Sequence, residues 1–289
     1  MSDDFQVVVT GASGFVARHV RRFLSTNKIK TISISRKNFA KFKNETKIIS
    51  KNYDKKTILP KIKNSDALIH LVGIGTQTVD KDFLSVNTGI TEKIIRMCKH
   101  AHINKIIYNS GLGVSKDTTL GYFISKYRAE QHIINSHLDY TIFRPSYIVG
   151  KDDLLTKYLK LQIKKGVIVI PGSGKYTIQP IHIDDVCKII LKSIQDKKFS
   201  KKVLDLVGPE SLTFEQYVRR FSHKTKTKIK KISLEDAYYQ AITNPKPEFS
   251  VDDLNLLVGN FKGNHREIKK ISQFQFQNVT DLLNSSSLL

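Results

Sequence analysis

Cysteine is nearly missing from this chain. Only Cys98 and Cys187 occur among 289 residues, far apart and without metal-ligand spacing. That excludes a disulfide framework and a cysteine-built zinc site, so no metal is expected. It suits reduced core thiols in a reducing, cytoplasmic setting. Long apolar runs are missing too. The longest, such as VIVI at 167–170, fall far short of the roughly 20 residues that span a bilayer, so no integral membrane segment is expected. The opening MSDDFQVVVTG carries acids and then a strand pattern, unlike a secretory signal. No basic stretch is interleaved with aromatics, as a single-strand binder requires, so no nucleic-acid partner is expected. Internal repeats and low-complexity tracts are also lacking.

What remains is a folded composition, 40% hydrophobic and 9% aromatic, with a net charge of +22. The bases are mostly lysines spread along the chain, which reads as a sequence-wide bias rather than a footprint. Peripheral attachment to an anionic membrane surface stays open.

Short β-branched runs alternate with helical patterns. The strand candidates are 6–10, 31–35, 47–50, 67–72, 105–110, 140–143 and 203–206. Most are nearly continuous apolar runs, as strands covered on both faces are. Helical stripes lie between them: Val16, Val20, Phe23 and Leu24; then Phe83, Ile90, Ile94 and Met97; then Val186, Ile189, Ile190 and Ile194. The alternation predicts an α/β fold with a Rossmann-type doubly wound parallel sheet. After VGPES the pattern changes. Thr213 with Gln216 predicts a capping box, NPKP (244–247) a linker, and Ser250 with Asp253 another helix start. The expected division is a cofactor domain over 1–210, with 146–180 reaching outward, and a small, mostly helical substrate lobe over 211–289. The final SSSLL is expected to fray.

The strongest local motif is VVVTGASGFVARHV, 7–20. A strand ends at Thr10, and Gly11, Gly14 and Ala17 follow at three-residue spacing before a helix. Gly11 allows a tight turn, Gly14 a close backbone approach, and Ala17 helix-on-sheet packing. The helix N-terminus then offers N–H groups to a diphosphate. Ser13, Phe15 and Val16 complete this candidate cofactor loop. The second strand ends in SISRKN, with no acid until Glu45. Arg36 and Lys37 suit a 2′-phosphate, so NADP(H) is the expected cofactor, with NAD(H) the alternative.

With these motifs the chain resembles the short-chain dehydrogenase/reductase superfamily, in its extended or atypical branch. That branch includes nucleotide-sugar epimerases and the NAD(P)H-binding accessory subunit of respiratory complex I. DALIHLVG (66–73) resembles the fourth strand, which implies that Leu71, Val72 and Gly73 pass beside the cofactor. VNTGIT (86–91) resembles the following helix with its Asn87. YFISK (122–126), followed by Glu130, resembles the Tyr-x-x-x-Lys helix, and FRPSYIVG (143–150) the loop that brings Pro145 and Ser146 to the nicotinamide. QPIHIDDV (179–186) resembles the segment returning from the substrate lobe. LVGPESLTFEQYV and FSVDDLNLLVGN look more like the complex I subunit and its prokaryotic relatives.

The resemblance implies Tyr122 and Lys126 as the proton-transfer pair, on one helix face by their i, i+4 spacing. A serine usually assists them, and the pattern KIIYNSGLGV puts Gly111 there. Ser110 serves if the register is one residue out, and Ser115 if its loop folds inward. Two functions follow. One is an NAD(P)-dependent oxidoreductase or epimerase acting on a small carbonyl compound or nucleotide sugar. The other is a cofactor-binding protein of little turnover, acting in assembly or redox sensing. His182, Asp184 and Asp185 read as loop-fixing, His70 as a satisfied core histidine, and Arg144 as a substrate contact or a partner of a nearby acid. The helices at 80–100 and 122–136 leave a homodimer open.

Overall fold

The computed structural model describes residues 5–285; Asp3, Asp4 and all of the SSSLL tail but Ser285 lie outside them. The first half runs β1 (Gln6–Thr10), α1 (Phe15–Thr26), β2 (Lys30–Ser35), β3 (Glu45–Ile49), α2 (Lys55–Ile62), β4 (Ala67–His70), α3 (Ile90–His100), β5 (Lys105–Asn109), α4 (Gly121–Ile134) and β6 (Asp139–Pro145). The second half runs β7 (Ile148–Val149), α5 (Leu154–Lys165), β8 (Val167–Pro171), β9 (Thr177–Ile178), β10 (Ile181–His182), α6 (Ile183–Gln195), β11 (Lys202–Leu206), β12 (Leu212–Thr213), α7 (Phe214–Phe221), β13 (Lys228–Ile232), α8 (Leu234–Thr243), α9 (Val251–Leu257), α10 (His265–Ser272) and α11 (Val279–Asn284).

Seven strands make one sheet in the order β11-β6-β5-β4-β1-β2-β3, and every pair in it is parallel. The strands are apolar on both sides because both sides are covered. Val8, Leu68, Ile106 and Ile142 face α3 and α4 through Ile94, Met97, Ala129 and Ile133. Val7, Val9, Ile69 and Ile107 face α1 and α6 through Val20, Leu24, Val186 and Ile190. The strand order reverses between β1 and β4. Such a switch point opens a crevice at the carboxyl ends of the strands.

A third core, with Leu159, Ile170, Phe214, Tyr217 and Leu257, draws on both 149–178 and the chain after 212. Two features were not anticipated. β8 pairs in parallel with β13, so the lobe carries a small sheet as well as helices. And α10 leaves the lobe to pack against β11, burying Ile268 among the sheet residues. The capping box at Thr213 forms as expected, and Ser250 opens α9 as expected, with a capping box of its own.

Candidate cofactor and proton-transfer site

The turn after β1 closes as its glycine spacing requires. Gly11 has φ +72°, and a Cβ there would lie 2.8 Å from the Leu71 carbonyl oxygen. No L side chain fits that place or that backbone readily. Gly14 caps α1 without a side-chain hydrogen bond, and the first turn of α1 holds no acid. The free N–H groups and the positive end of the helix dipole therefore face the crevice. This cradle fits a dinucleotide diphosphate. Ser13 and Gly14 are exposed, Phe15 and Val16 half-buried. Ser35 Oγ donates to Ser13 Oγ at 2.9 Å, which ties the end of β2 to the cradle.

The acid after β2 is fully engaged. Glu45 accepts from Arg21 Nε at 2.5 Å and Nη2 at 2.9 Å, from Ser33, and from the Phe42 amide at 2.7 Å. Arg21 also donates to the Ala12 and Ala40 carbonyls and sits over the Phe39 ring, 4.3 Å from its centroid. Burial alone would raise the Glu45 pKa. The hydrogen bonds from Arg21, Ser33 and Phe42 override it and hold the carboxyl below its ordinary value. Glu45 is thus unavailable to a ribose. Arg36 is half-buried and Lys37 exposed at the rim. Sequence reasoning missed Tyr53. Its buried phenol is pushed up to about 12 by burial, offset by the Arg36 charge and the Gly11 amide. A lone tyrosine in a loop gives no signal of such a position.

At the other end of the crevice, α4 presents Tyr122 and Lys126. Lys126 is 4% exposed and donates to the Asn109 carbonyl at 3.1 Å. Its Nζ lies 6.0 Å from the centroid of the Tyr122 ring. Burial lowers its pKa to about 8, and Glu130 partly restores it. Tyr122 packs edge-on against Phe83 and Phe123, at 5.8 and 5.1 Å. Burial pushes its phenol up to about 12, so it holds its proton at neutral pH.

The residue facing that phenol is Gly111. A Cβ built there would sit 3.2 Å from the Tyr122 hydroxyl. Position 111, not Ser110, therefore neighbours the Tyr122 hydroxyl. Ser110 is buried, its amide donates to the Phe143 carbonyl at 2.7 Å, and its hydroxyl has no protein partner. Ser115 is exposed on its loop, which corrects the expectation that it could fold inward.

Asn87 sits fully buried in a π-helical turn, Leu84–Gly89. Its Oδ1 accepts from the Ile74 amide at 2.9 Å, and its Nδ2 donates to Ser125 Oγ at 3.0 Å. It pins the loop after β4 to α4. Leu71, Val72 and Gly73 run along this loop, and a Cβ on Gly73 would lie 3.0 Å from Lys126 Nζ. His70 is wholly buried. The Thr91 hydroxyl donates to the Asn87 carbonyl at 2.6 Å, so it accepts from His70 Nε2 at 3.0 Å, and Nδ1 accepts from Thr10 at 2.8 Å. Burial holds this ring neutral, with a pKa near 3. Arg144 pairs with buried Glu130 through two hydrogen bonds, 3.0 and 2.6 Å. His182 caps α6 and meets Gln277, whose amide donates to Asp185. Both therefore hold loops.

The phenol opens on a cavity of about 600 Å³ between sheet and lobe, whose wall includes Gly111, Pro145 and Ser146. Leu112, Phe249, Leu256 and Phe261 give it an apolar lining. Those on the lobe carry no sequence signal, because their convergence depends on how α9 and the 259–263 turn fold back.

The profile of one protein family, described as NAD(P)H-binding, matches residues 11–197, well over half of the chain. The chain belongs to that family. A curated relative, NADH dehydrogenase (ubiquinone) 1 alpha subcomplex subunit 9, mitochondrial, of Arabidopsis thaliana, is 28% identical over 163 residues, 55% of this chain and 40% of that protein. Its namesake from Mus musculus is 27% identical over 176 residues, 60% of this chain and 47% of that protein. The chain thus matches less than half the length of these relatives. Among solved structures, the UDP-glucose 4-epimerase of Thermotoga maritima with UDP-glucose superposes with TM-score 0.78 at 15% identity, covering 98% and 97% of the two chains. The UDP-glucuronic acid 4-epimerase of Bacillus cereus with UDP-glucuronic acid and NAD gives 0.74 at 17% identity and 98% coverage of each. These likenesses establish the fold of short-chain dehydrogenase/reductase epimerases, a Rossmann-like sheet with a cofactor crevice. No helix of the described residues is long and apolar enough to cross a membrane.

Lys126 yields a stability prediction. Its pKa falls from 10.5 unfolded to about 8 folded. Below pH 8 the buried ammonium destabilises the fold by about 3 kcal/mol before its hydrogen bond is counted. That cost fades as pH rises from 8 to 10.5, because the unfolded chain then binds more protons. Urea unfolding should find Lys126→Met at least as stable as wild type at pH 7, with most of the advantage lost by pH 10.

Proposed function

We propose that this protein is an NAD(P)H-dependent reductase of carbonyl compounds, with NADPH the preferred cofactor. One observation carries it: a half-buried Tyr122 that lines an apolar cavity, its phenol protonated at neutral pH, with buried Lys126 one helical turn behind it. Gly11, Ser13, Gly14 and α1 hold the diphosphate, and Lys126 and Asn87 order the nicotinamide end. Bound there, the dinucleotide supplies the hydride that the carbonyl carbon gains. Tyr122 gives its proton to the carbonyl oxygen, an alcohol results, and water reprotonates the phenolate. The Lys126 ammonium stabilises that phenolate by its charge. The apolar wall keeps bulk water from the reacting carbonyl. The buried free thiols Cys98 and Cys187 suit a reducing compartment.

Gly111 favours a second reading, a cofactor-binding protein of weak turnover within a larger assembly, as the relatives' names describe. The test is NADPH oxidation across a panel of ketones by wild type and Gly111→Ser. Glycine cannot donate to the carbonyl oxygen, and such a donor is worth about 10²–10³ in rate elsewhere. The tight 3.2 Å approach to Tyr122 should let serine recover only about tenfold. A wild type and a serine variant that both bind NADPH and reduce nothing would leave the binding reading standing.

For the cofactor, Arg36→Ala should weaken NADPH about tenfold and NADH little, measured by calorimetry, as loss of a charged phosphate contact predicts. Equal losses would remove the NADPH preference.

A further inference from the structure

The cavity beside Tyr122 differs in chemistry from what nucleotide sugars require, and its substrate class can be read from that difference. Its volume of about 600 Å³ lies in the range that encloses a drug-sized ligand. Leu112, Phe123, Leu155, Phe249, Leu256 and Phe261 dominate its wall. Among the described residues, the charged ones lining it are Glu248 and Asp253, both acids, and no Lys, Arg or His lines it. Glu248 accepts from the Tyr158 hydroxyl at 3.2 Å. Asp253 accepts from Thr76 at 3.1 Å and from the Ser250 hydroxyl at 2.7 Å. Arg144, which precedes Pro145 of the wall, is held by Glu130, and Lys126 is directed at the Asn109 carbonyl.

A nucleotide sugar carries a diphosphate. In this cavity its charges would lose water, meet no cation and face two carboxylates, each of which opposes binding. An uncharged apolar ketone loses mainly apolar contact with water on entry, which favours binding, and its one polar oxygen can accept from the Tyr122 hydroxyl in the wall. We infer that this cavity takes an uncharged, predominantly apolar carbonyl compound and rejects nucleotide-diphosphate sugars. The inference rests on the reductase reading for the carbonyl, while the apolar preference stands on the wall alone.

The test uses the full chain and the neutral dye Nile red, displaced by 2-undecanone or by UDP-glucose. 2-Undecanone should displace the dye at concentrations about tenfold or more below those of UDP-glucose. Leu155→Arg, which sets a cation in the wall, should weaken the dye about tenfold, and the milder Leu155→Asn by less. Binding of UDP-glucose as tight as that of the ketone, or dye affinity unmoved in both variants, would overturn the inference. NADPH-induced thermal stabilisation is measured in parallel. Its absence would sink the cofactor reading while leaving the cavity result to stand by itself.

Discussion

Tyr122→Phe should lower ketone reduction by about 10²–10⁴ while leaving NADPH affinity and melting temperature unchanged. The separation follows from what surrounds the phenol. Its ring packs on Phe83 and Phe123, and phenylalanine keeps both contacts. What the variant lacks is the proton. With the phenol pushed up to about 12, wild-type Tyr122 arrives protonated across the neutral range, so reduction should hold level from pH 6 to 7 and then fall only as the Lys126 ammonium is lost around pH 8. Steady-state kinetics of the two proteins over that range check both statements. Equal turnover on every reduced substrate would refute the proton-donor role, and a loss of NADPH binding in the variant would show that the hydroxyl serves the cofactor instead.

Breaking the Arg21–Glu45 pair should be the most damaging change to stability. Both partners are buried, and removing one leaves the other charge uncompensated, at about 3–5 kcal/mol. That is a large share of the 5–15 kcal/mol that typically holds a domain. Glu45→Leu and Arg21→Met should each cost this much in urea unfolding. The double variant should cost clearly less than the sum, because no orphaned charge remains. The loss is also pH-dependent. Glu45 is held below its ordinary value, so its contribution is complete above pH 4.5 and is lost as pH falls through the folded pKa. Both single variants should weaken NADPH as well, since Arg21 ties the Ala12 carbonyl of the cradle to the Ala40 carbonyl beyond β2. Additive single losses would mean that the pair is not coupled as its geometry implies.

How much could be read in advance depended on the range of the interactions. The seven sheet strands were legible as apolar runs, because burial on both faces leaves a continuous signal. Their ends were less so: 67–72 reads as one run, yet the strand stops at His70, because Leu71–Gly73 must turn beneath Lys126 and the cradle. β13, KIKKI, was invisible, since its partner β8 lies some sixty residues earlier and its lysines remain exposed on an edge. Acids and bases were legible by type but not by partner. Glu45 looked merely distant from the ribose position, and only the fold shows that Arg21 claims it. Arg144 was open between substrate and acid until Glu130 was seen beneath it.

The chain order of glycines, small residues and β-branched runs determined the parallel sheet, the diphosphate cradle and the Tyr122–Lys126 spacing. Those are local, since each is set by neighbours within one βα unit or one helical turn. The tertiary structure alone decided between Gly111 and Ser110 beside the phenol, that Lys126 lies buried enough to lose part of its basicity, and that the wall beside them is apolar with two acids. Each of those depends on side chains brought together across dozens of residues, where desolvation and packing, rather than sequence spacing, set the chemistry.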